Sequence, residues 1–257
     1  MKNAVAKFKR ESATFAAICL AASATFGADD KWTGNGDDNT KWNDPGNWDN
    51  AMEGGDNFIF EKKADIVFDD SYSVQGRSIL FDGNPSPVTF TANNDAYGIT
   101  SGNFYVGFGK TGELGITNGT YVVTNKLAIG MQGNHNGTLR MSGGSLTAKY
   151  LLLCTKLDAW RKGGPGHLYI DGGQLTVQGG NNDTGVRAPD NNQGAVGIEV
   201  SGTGSFTANT KVEIGVQGKG TLTVSGNGVW TAAEDATIGA QGTLTIEDNR
   251  SEEHTSE

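Results

Sequence analysis

The chain has little of what stabilises or anchors several common classes of protein. It contains only two cysteines, Cys19 and Cys154, and five prolines in 257 residues. Charged residues make up 19% of the chain, against about 25% in average soluble domains. The apolar stretch from Ala13 to Ala24 is shorter than the roughly 20 residues that a transmembrane helix needs. A disulfide scaffold and a membrane span in this stretch are therefore excluded.

Residues for several kinds of enzyme and cofactor chemistry are also missing. No Gly-x-Ser-x-Gly elbow is present for a serine hydrolase, and His135 and His167 have no neighbouring cysteines to complete a metal site. The segment Gly107–Gly112 matches Gly-x-Gly-x-x-Gly, but Phe104 stands where a P-loop needs glycine and no helix pattern follows. The acidic segment Gly36–Asn39 is typical of a solvated turn rather than a calcium loop. We therefore expect no catalytic residue, metal, nucleotide or other cofactor.

Glycine is what the chain has in excess. It contributes 39 of 257 residues, twice its usual share of about 7%. Many residues are Asn and Thr, yet 36% of the chain is hydrophobic. This composition favours many short strands joined by tight turns and excludes a helical bundle.

The first residues have the layout of a secretory signal peptide. Basic residues precede the apolar stretch, which ends in Ala22-Ser23-Ala24, and Ala28 offers a second cleavage site. Removal of residues 1–28 takes away four positive charges and one negative charge, so the net charge changes from −9 to −12. It also removes Cys19, so we expect no disulfide within the mature chain. Because nucleic-acid binding needs clustered Lys and Arg, we expect a secreted or cell-surface protein that binds no nucleic acid.

The last eight residues, 250–257, resemble the translation of a common sequencing adapter. We expect the natural chain to continue differently after Asn249, so that His254 takes no part in any site. We therefore expect this segment to contribute nothing to the fold.

A repeated unit runs through residues 101–249. It reads Gly-Thr-Leu-x-Val-x-Gly-Gly, followed by x-Leu-Thr-Ala. Its first apolar residue, spaced by 25, 29, 30, 24 and 22 residues, recurs at Leu114, Leu139, Leu168, Ile198, Leu222 and Leu244. A second strand is marked by Val122, Leu146, Leu175, Phe206 and Trp230, and a third by 127–130, 212–215 and 236–239. Because apolar and polar residues alternate, one face of each strand is buried.

Three short strands in each repeat of about 24 residues predict an all-β fold, a parallel β-helix or β-solenoid. A single turn cannot bury its own apolar residues, but turns stacked about 4.8 Å apart align them into interior ladders. Residues 29–100 differ from the repeat and contain Trp32, Trp42 and Trp48. We predict that they form an amino-terminal β cap and the first strands. An exposed platform for sugar binding is the alternative use of these rings.

The amino-terminal motifs and the repeat together resemble bacterial surface proteins. Trp32-Thr33-Gly34, Asn47-Trp48 and Gly55-Asp56-Asn57 resemble the start of autotransporter-associated β-strand proteins, and the repeat is similar to that of type V secretion passengers and PEP-CTERM proteins. The resemblance implies an exported, surface-displayed, right-handed β-helix. It also implies that membrane contact comes only through a carboxy-terminal translocator or anchor. The chain departs from the pattern at Cys154 and Val196, where the repeat has glycine.

Two functions are compatible with these features. The first is a structural or adhesive surface rod whose partner is an extracellular glycan or surface protein. The second is a glycan-binding or polysaccharide-degrading β-helix, centred on insertions at 155–165 and 178–193. The candidate binding residues in these insertions are Asp158, Trp160, Arg161, Arg187 and Asp190. We favour the first function because the other outward positions are mostly Thr, Ser, Asn, Gly and Lys.

Overall fold

The computed structural model describes residues 29–49, 57–83, 87–131, 135–154, 163–180, 184–190 and 195–247. Within these ranges the chain forms eighteen strands and one short 3-10 turn, Pro45–Asn47. The strands are β1 (Asp30–Lys31), β2 (Asn57–Phe60), β3 (Ala64–Phe68), β4 (Ser71–Phe81), β5 (Val88–Ala92), β6 (Gly98–Val106), β7 (Gly112–Ile116), β8 (Thr120–Ile129), β9 (Gly137–Leu153), β10 (Gly166–Val177), β11 (Thr184–Ala188), β12 (Val196–Val200), β13 (Ser205–Ala208), β14 (Lys211–Ile214), β15 (Gly220–Ser225), β16 (Val229–Ala232), β17 (Ala236–Ile238) and β18 (Gly242–Glu247). None of the helical structure in this part of the chain is long or apolar enough to cross a membrane.

The strands are paired in parallel and form three sheets around one interior. The first sheet joins β1, β2, the ends of β4, β6, β8 and β9, and then β11, β14 and β17. The second joins β3, β5, β7, the starts of β9 and β10, and then β12, β15 and β18. The third joins the starts of β4, β6 and β8, the middle of β9, the end of β10, and then β13 and β16.

Each turn of the chain adds one strand to each sheet, which gives about eight turns. The predicted all-β parallel β-helix is therefore confirmed. Its right-handedness stays a prediction.

The apolar ladder of the second sheet follows the predicted register. The repeat residues stand beside one another in consecutive turns, from Leu114 against Leu139 to Leu222 against Leu244. All except Leu244 are almost completely buried. Burial of each large aliphatic side chain contributes about 1.5–3 kcal/mol to stability. Val88 and Ala64 extend the same ladder toward the amino terminus, ahead of the recognisable repeat.

One predicted ladder position is wrong by a single residue. Tyr121, not Val122, stands beside Leu146 in the third sheet, and its ring is fully buried. The Tyr121 hydroxyl donates a hydrogen bond to the backbone carbonyl of Asn118 at 2.7 Å, which satisfies its polar group inside the core. A shift of one residue exchanges the inward and outward faces of a strand, so Val122 lies on the outer side.

The corner that follows the first sheet needs a left-handed backbone. Gly130 and Gly215 have φ of +73° and +68° there, which glycine adopts without steric cost. Cys154 occupies the same corner in the intervening part of the stack with φ of +53°. Its side chain is buried, and burial raises the pKa of its thiol to about 11. The departure from the repeat at Cys154 therefore keeps the backbone conformation and places sulfur in the core.

The amino-terminal turns have an aromatic core. Trp32, Trp42 and Trp48 are 5%, 1% and 4% exposed. Trp48 packs edge-on against both of the other rings at centroid distances of 5.1 and 4.9 Å, and its Nε1 donates to the Trp42 carbonyl. These rings pack on Phe58 and Phe60 of β2. The three tryptophans therefore lie inside the core and are not available as an exposed sugar platform.

The outer side of the first sheet differs from the polar surface that the sequence predicted. Outward-facing Ala128 and Leu152 are buried together with Met131, and Tyr105, Phe108 and Tyr150 pack against them. The rings of Tyr105 and Phe108 stack at 5.5 Å. The solenoid thus has a second, external apolar cluster, which the alternation pattern alone assigned to solvent.

Candidate functional site

Of the five predicted binding residues, only Arg187 and Asp190 lie in the described part of the chain, and these two contact each other. Asp158, Trp160 and Arg161 lie outside the described residues. Arg187 lies in β11, where it is the register partner of Glu213, and its Nη1 contacts Asp190 Oδ1 at 3.3 Å. The segment 178–193 is therefore not one continuous loop, because its middle part supplies a strand of the first sheet.

Asp190 has a structural task at the corner after β11. At the matching corners Gly130, Cys154 and Gly215 donate their backbone N–H to the last carbonyl of a first-sheet strand in the preceding turn. Pro189 cannot donate, and Asp190 N–H instead bonds to the Leu153 carbonyl at 2.8 Å. The hydrogen bond at this corner therefore comes one residue later than at the matching corners, and the Arg187–Asp190 ion pair links β11 to it.

The glycine-rich segment Gly107–Gly112 binds a carboxylate of the chain itself. The backbone N–H groups of Phe108 and Gly109 donate to Asp82 Oδ1 and Oδ2 at 2.7 and 3.0 Å. Gly112 then begins strand β7, not a helix. Asp82 is only 7% exposed. Burial raises the pKa of its carboxyl, against the backbone hydrogen bonds, which lower it.

We expect Asp82→Asn to lower the free energy of unfolding by about 1–3 kcal/mol, because an amide turns one acceptor into a donor that faces backbone N–H groups. Asp95→Asn is the matched control, since the Asp95 side chain is exposed and we expect no measurable change. Urea unfolding of both variants at neutral pH checks this. Equal stability of Asp82→Asn and Asp95→Asn contradicts the assigned role of Asp82.

The pH dependence of the same variant is a second readout. The folded state holds the Asp82 proton more tightly than the unfolded state, because the pKa is raised on folding. The resulting stabilisation is complete at pH values below the pKa that Asp82 has in the unfolded chain. It is lost as the pH rises through the pKa that Asp82 has in the folded chain. The stability difference between wild type and Asp82→Asn should therefore be largest below the ordinary aspartate pKa of about 3.9 and shrink as the pH rises above it.

The acidic turn near the amino terminus is held by its own hydrogen bonds. Asp38 Oδ1 accepts from the Thr40 hydroxyl and backbone N–H at 2.6 and 3.1 Å, which lowers the pKa of Asp38. Asp44 Oδ2 accepts from the backbone N–H of Asp38. Across the described ranges, no three His, Cys, Asp or Glu side chains are grouped as metal ligands.

A groove that sequence reasoning missed lies on the outer face of the second sheet. It has a volume of about 290 Å³, and its lining includes His167 and Tyr169 of β10, Gly197 and Glu199 of β12, and Thr221 of β15. His167, Gly197 and Thr221 stand in one row across three turns, and Tyr169 and Glu199 stand in the next row. The groove exists because Gly197 carries no side chain between its two neighbours. We call it the Gly197 groove.

One wall of the Gly197 groove is built from stacked planar groups. The rings of His167 and Tyr169 lie 6.2 Å apart and within 17° of parallel. Arg140, in the preceding turn, places its guanidinium 4.3 Å from the centre of the Tyr169 ring and pairs with Glu113 at 2.9 Å. Burial, and then the charge of Arg140, lower the pKa of His167, which favours a neutral imidazole.

The signal for this groove was present in the sequence. Where the repeat reads Gly-Thr-Leu, this turn reads Val196-Gly197-Ile198, so glycine has moved by one position to the outer face. The shift is readable only once the register shows which residues face outward.

No family model, curated protein or solved structure matches this chain.

Proposed function

We propose that the protein is an exported, surface-displayed β-solenoid that acts as a structural or adhesive rod. The stack of about eight turns around one apolar interior supports this proposal, since it makes a stiff body whose outer faces and corners can present binding groups. The basic and apolar leader before Ala28 adds the expectation of export. A resident cofactor has no part in this mechanism.

Export is tested with the full chain in a Gram-negative host. We expect intact mass and amino-terminal sequencing to show cleavage after Ala24 or Ala28, with the product outside the cytoplasm. Leu20→Arg is the control, because a charge in the apolar stretch should leave the chain uncut and cytoplasmic. A wild-type chain that stays uncut in the cytoplasm rules out the export part of the proposal.

Display and adhesion need a separate readout. Protease treatment of intact cells of the source organism should remove the protein without lysis, and purified protein should bind a surface glycan or surface protein. Protection from protease on intact cells contradicts surface display.

The alternative site in the insertions predicts that Trp160→Ala or Arg187→Ala abolishes glycan binding.

A further inference from the structure

We infer that the Gly197 groove binds a neutral oligosaccharide. The inference names a ligand for the adhesive role proposed above and rests on that role. It places the ligand on the outer face of β10, β12 and β15 and not in the insertions that the sequence indicated. Three observations support it. Gly197 has no structural need to be glycine, aromatic rings line one wall of the groove, and the charges of the lining favour a neutral ligand.

Gly197 has no structural need to be glycine. Its φ is not in the left-handed region, and an added Cβ would approach only His167 Nδ1 and Thr221 Oγ1, each at 3.4 Å. Every equivalent outward position in the neighbouring turns carries a side chain, which is Thr at Thr138, Thr221 and Thr243 and a larger residue at Glu113 and His167. A strand also gains stability from Thr over Gly. The missing side chain at Gly197 therefore weakens β12 slightly and leaves a hollow on the surface.

The wall and rim of the hollow match the two kinds of surface on a pyranose. Tyr169 and His167 contribute two aromatic rings to the wall, and the ring surface that Arg140 leaves uncovered packs against the apolar C–H groups of a sugar. Glu199 and Thr221 stand at the rim and are exposed. A carboxylate accepts hydrogen bonds from two sugar hydroxyls, and such charge-assisted bonds are stronger than neutral ones. A few polar groups around an apolar surface are typical of ligand sites.

The charges of the groove favour a neutral ligand over an anionic one. Arg140 is already paired with Glu113 and covers Tyr169, so the carboxylate of Glu199 is the charge that lines the hollow. This carboxylate repels uronic acids and sialic acids.

The hollow also continues along the stack. A second hollow of about 500 Å³ shares Val196 and Thr221 with it and adds Lys219 and Gln241. Together the two hollows have one carboxylate, Glu199, and one ammonium group, Lys219, so the charges of their combined lining balance.

The test uses the purified full chain on an array of neutral, uronate-containing and sialylated oligosaccharides. We expect binding to neutral oligosaccharides. Gly197→Thr restores the residue usual in the repeat and fills the hollow, so we expect a loss of about tenfold or more in affinity with no loss of thermal stability. Gly115→Thr is the matched control, since it adds the same side chain to the same face outside the groove and should leave binding unchanged.

A second variant tests the chemistry of the rim. Glu199→Gln keeps the shape of the side chain but removes its charge, and we expect a ten- to hundredfold loss, about the value of one charge-assisted hydrogen bond. The inference is overturned if no neutral oligosaccharide binds, if only acidic ones bind, or if Gly197→Thr binds as well as wild type. Binding by purified protein and display on cells are separate readouts. Failure of the groove therefore leaves surface display standing, and failure of export leaves the groove standing.

Discussion

We expect Gly112→Ala to prevent folding or to lower the free energy of unfolding by at least about 4 kcal/mol, more than most single substitutions cost. A methyl group on Gly112 would overlap the carbonyl oxygen of Phe81 in the preceding turn. That oxygen already accepts the 3.0 Å hydrogen bond from the Gly107 N–H at the corner. Because the obstacle is backbone, no change of side-chain rotamer relieves it. Far-UV circular dichroism and urea unfolding measure the effect.

Gly115→Ala is the control in the same strand. Its added methyl group would lie 3.8 Å from Thr89, an ordinary contact, so we expect a stability gain of about 0.5–1 kcal/mol. If Gly112→Ala and Gly115→Ala have the same free energy of unfolding, the close approach of successive turns is not the reason for glycine at position 112. The same overlap with a first-sheet carbonyl recurs at Gly137, Gly166, Gly220 and Gly242.

Phe90→Ala should be the most damaging substitution of a core side chain, with a loss of about 3–5 kcal/mol. The Phe90 ring is fully buried and packs against Phe68 and Phe81 at 5.1 and 5.4 Å, and against Tyr121 at 5.8 Å. Truncation leaves a cavity among rigid rings that cannot close around it. Equilibrium unfolding in urea, followed by tryptophan fluorescence, gives the loss.

Thr89→Ala is the neighbouring control for that substitution. Thr89 alternates to the outer face of β5, and we expect its replacement to change stability by about 0.5 kcal/mol or less. A cost for Phe90→Ala below about 1 kcal/mol would show that the aromatic core at the amino-terminal turns is loosely packed.

The repeat predicted most of the architecture because its physical cause is local. Period-two alternation and recurring glycine are visible in any one repeat, and parallel stacking then follows from the need to bury Leu114 and its equivalents. The error at Val122 has a simple origin. Tyr121 and Val122 are both apolar, and only the position of the preceding turn at Gly119 decides which of them faces inward.

The candidate site was less predictable because it depends on neighbours in different turns. Arg140, Tyr169 and Glu199 are far apart in sequence, and only the register places them in one row. The sequence pattern does not reveal the role of Asp82, whose carboxylate occupies N–H groups of the glycine-rich segment after Val106. Sequence spacing alone does not report such an occupant.

The uneven distribution of aromatic packing has a consequence for how the chain is made. The tightly packed turns around Trp42 and Phe90 precede the other turns in the chain, so the ribosome produces them before the repeat. A folded first turn offers an open row of backbone donors and acceptors on which the next turn can be templated. Assembly can thus proceed in the direction of synthesis, one turn after another, with little need for distant segments to find each other.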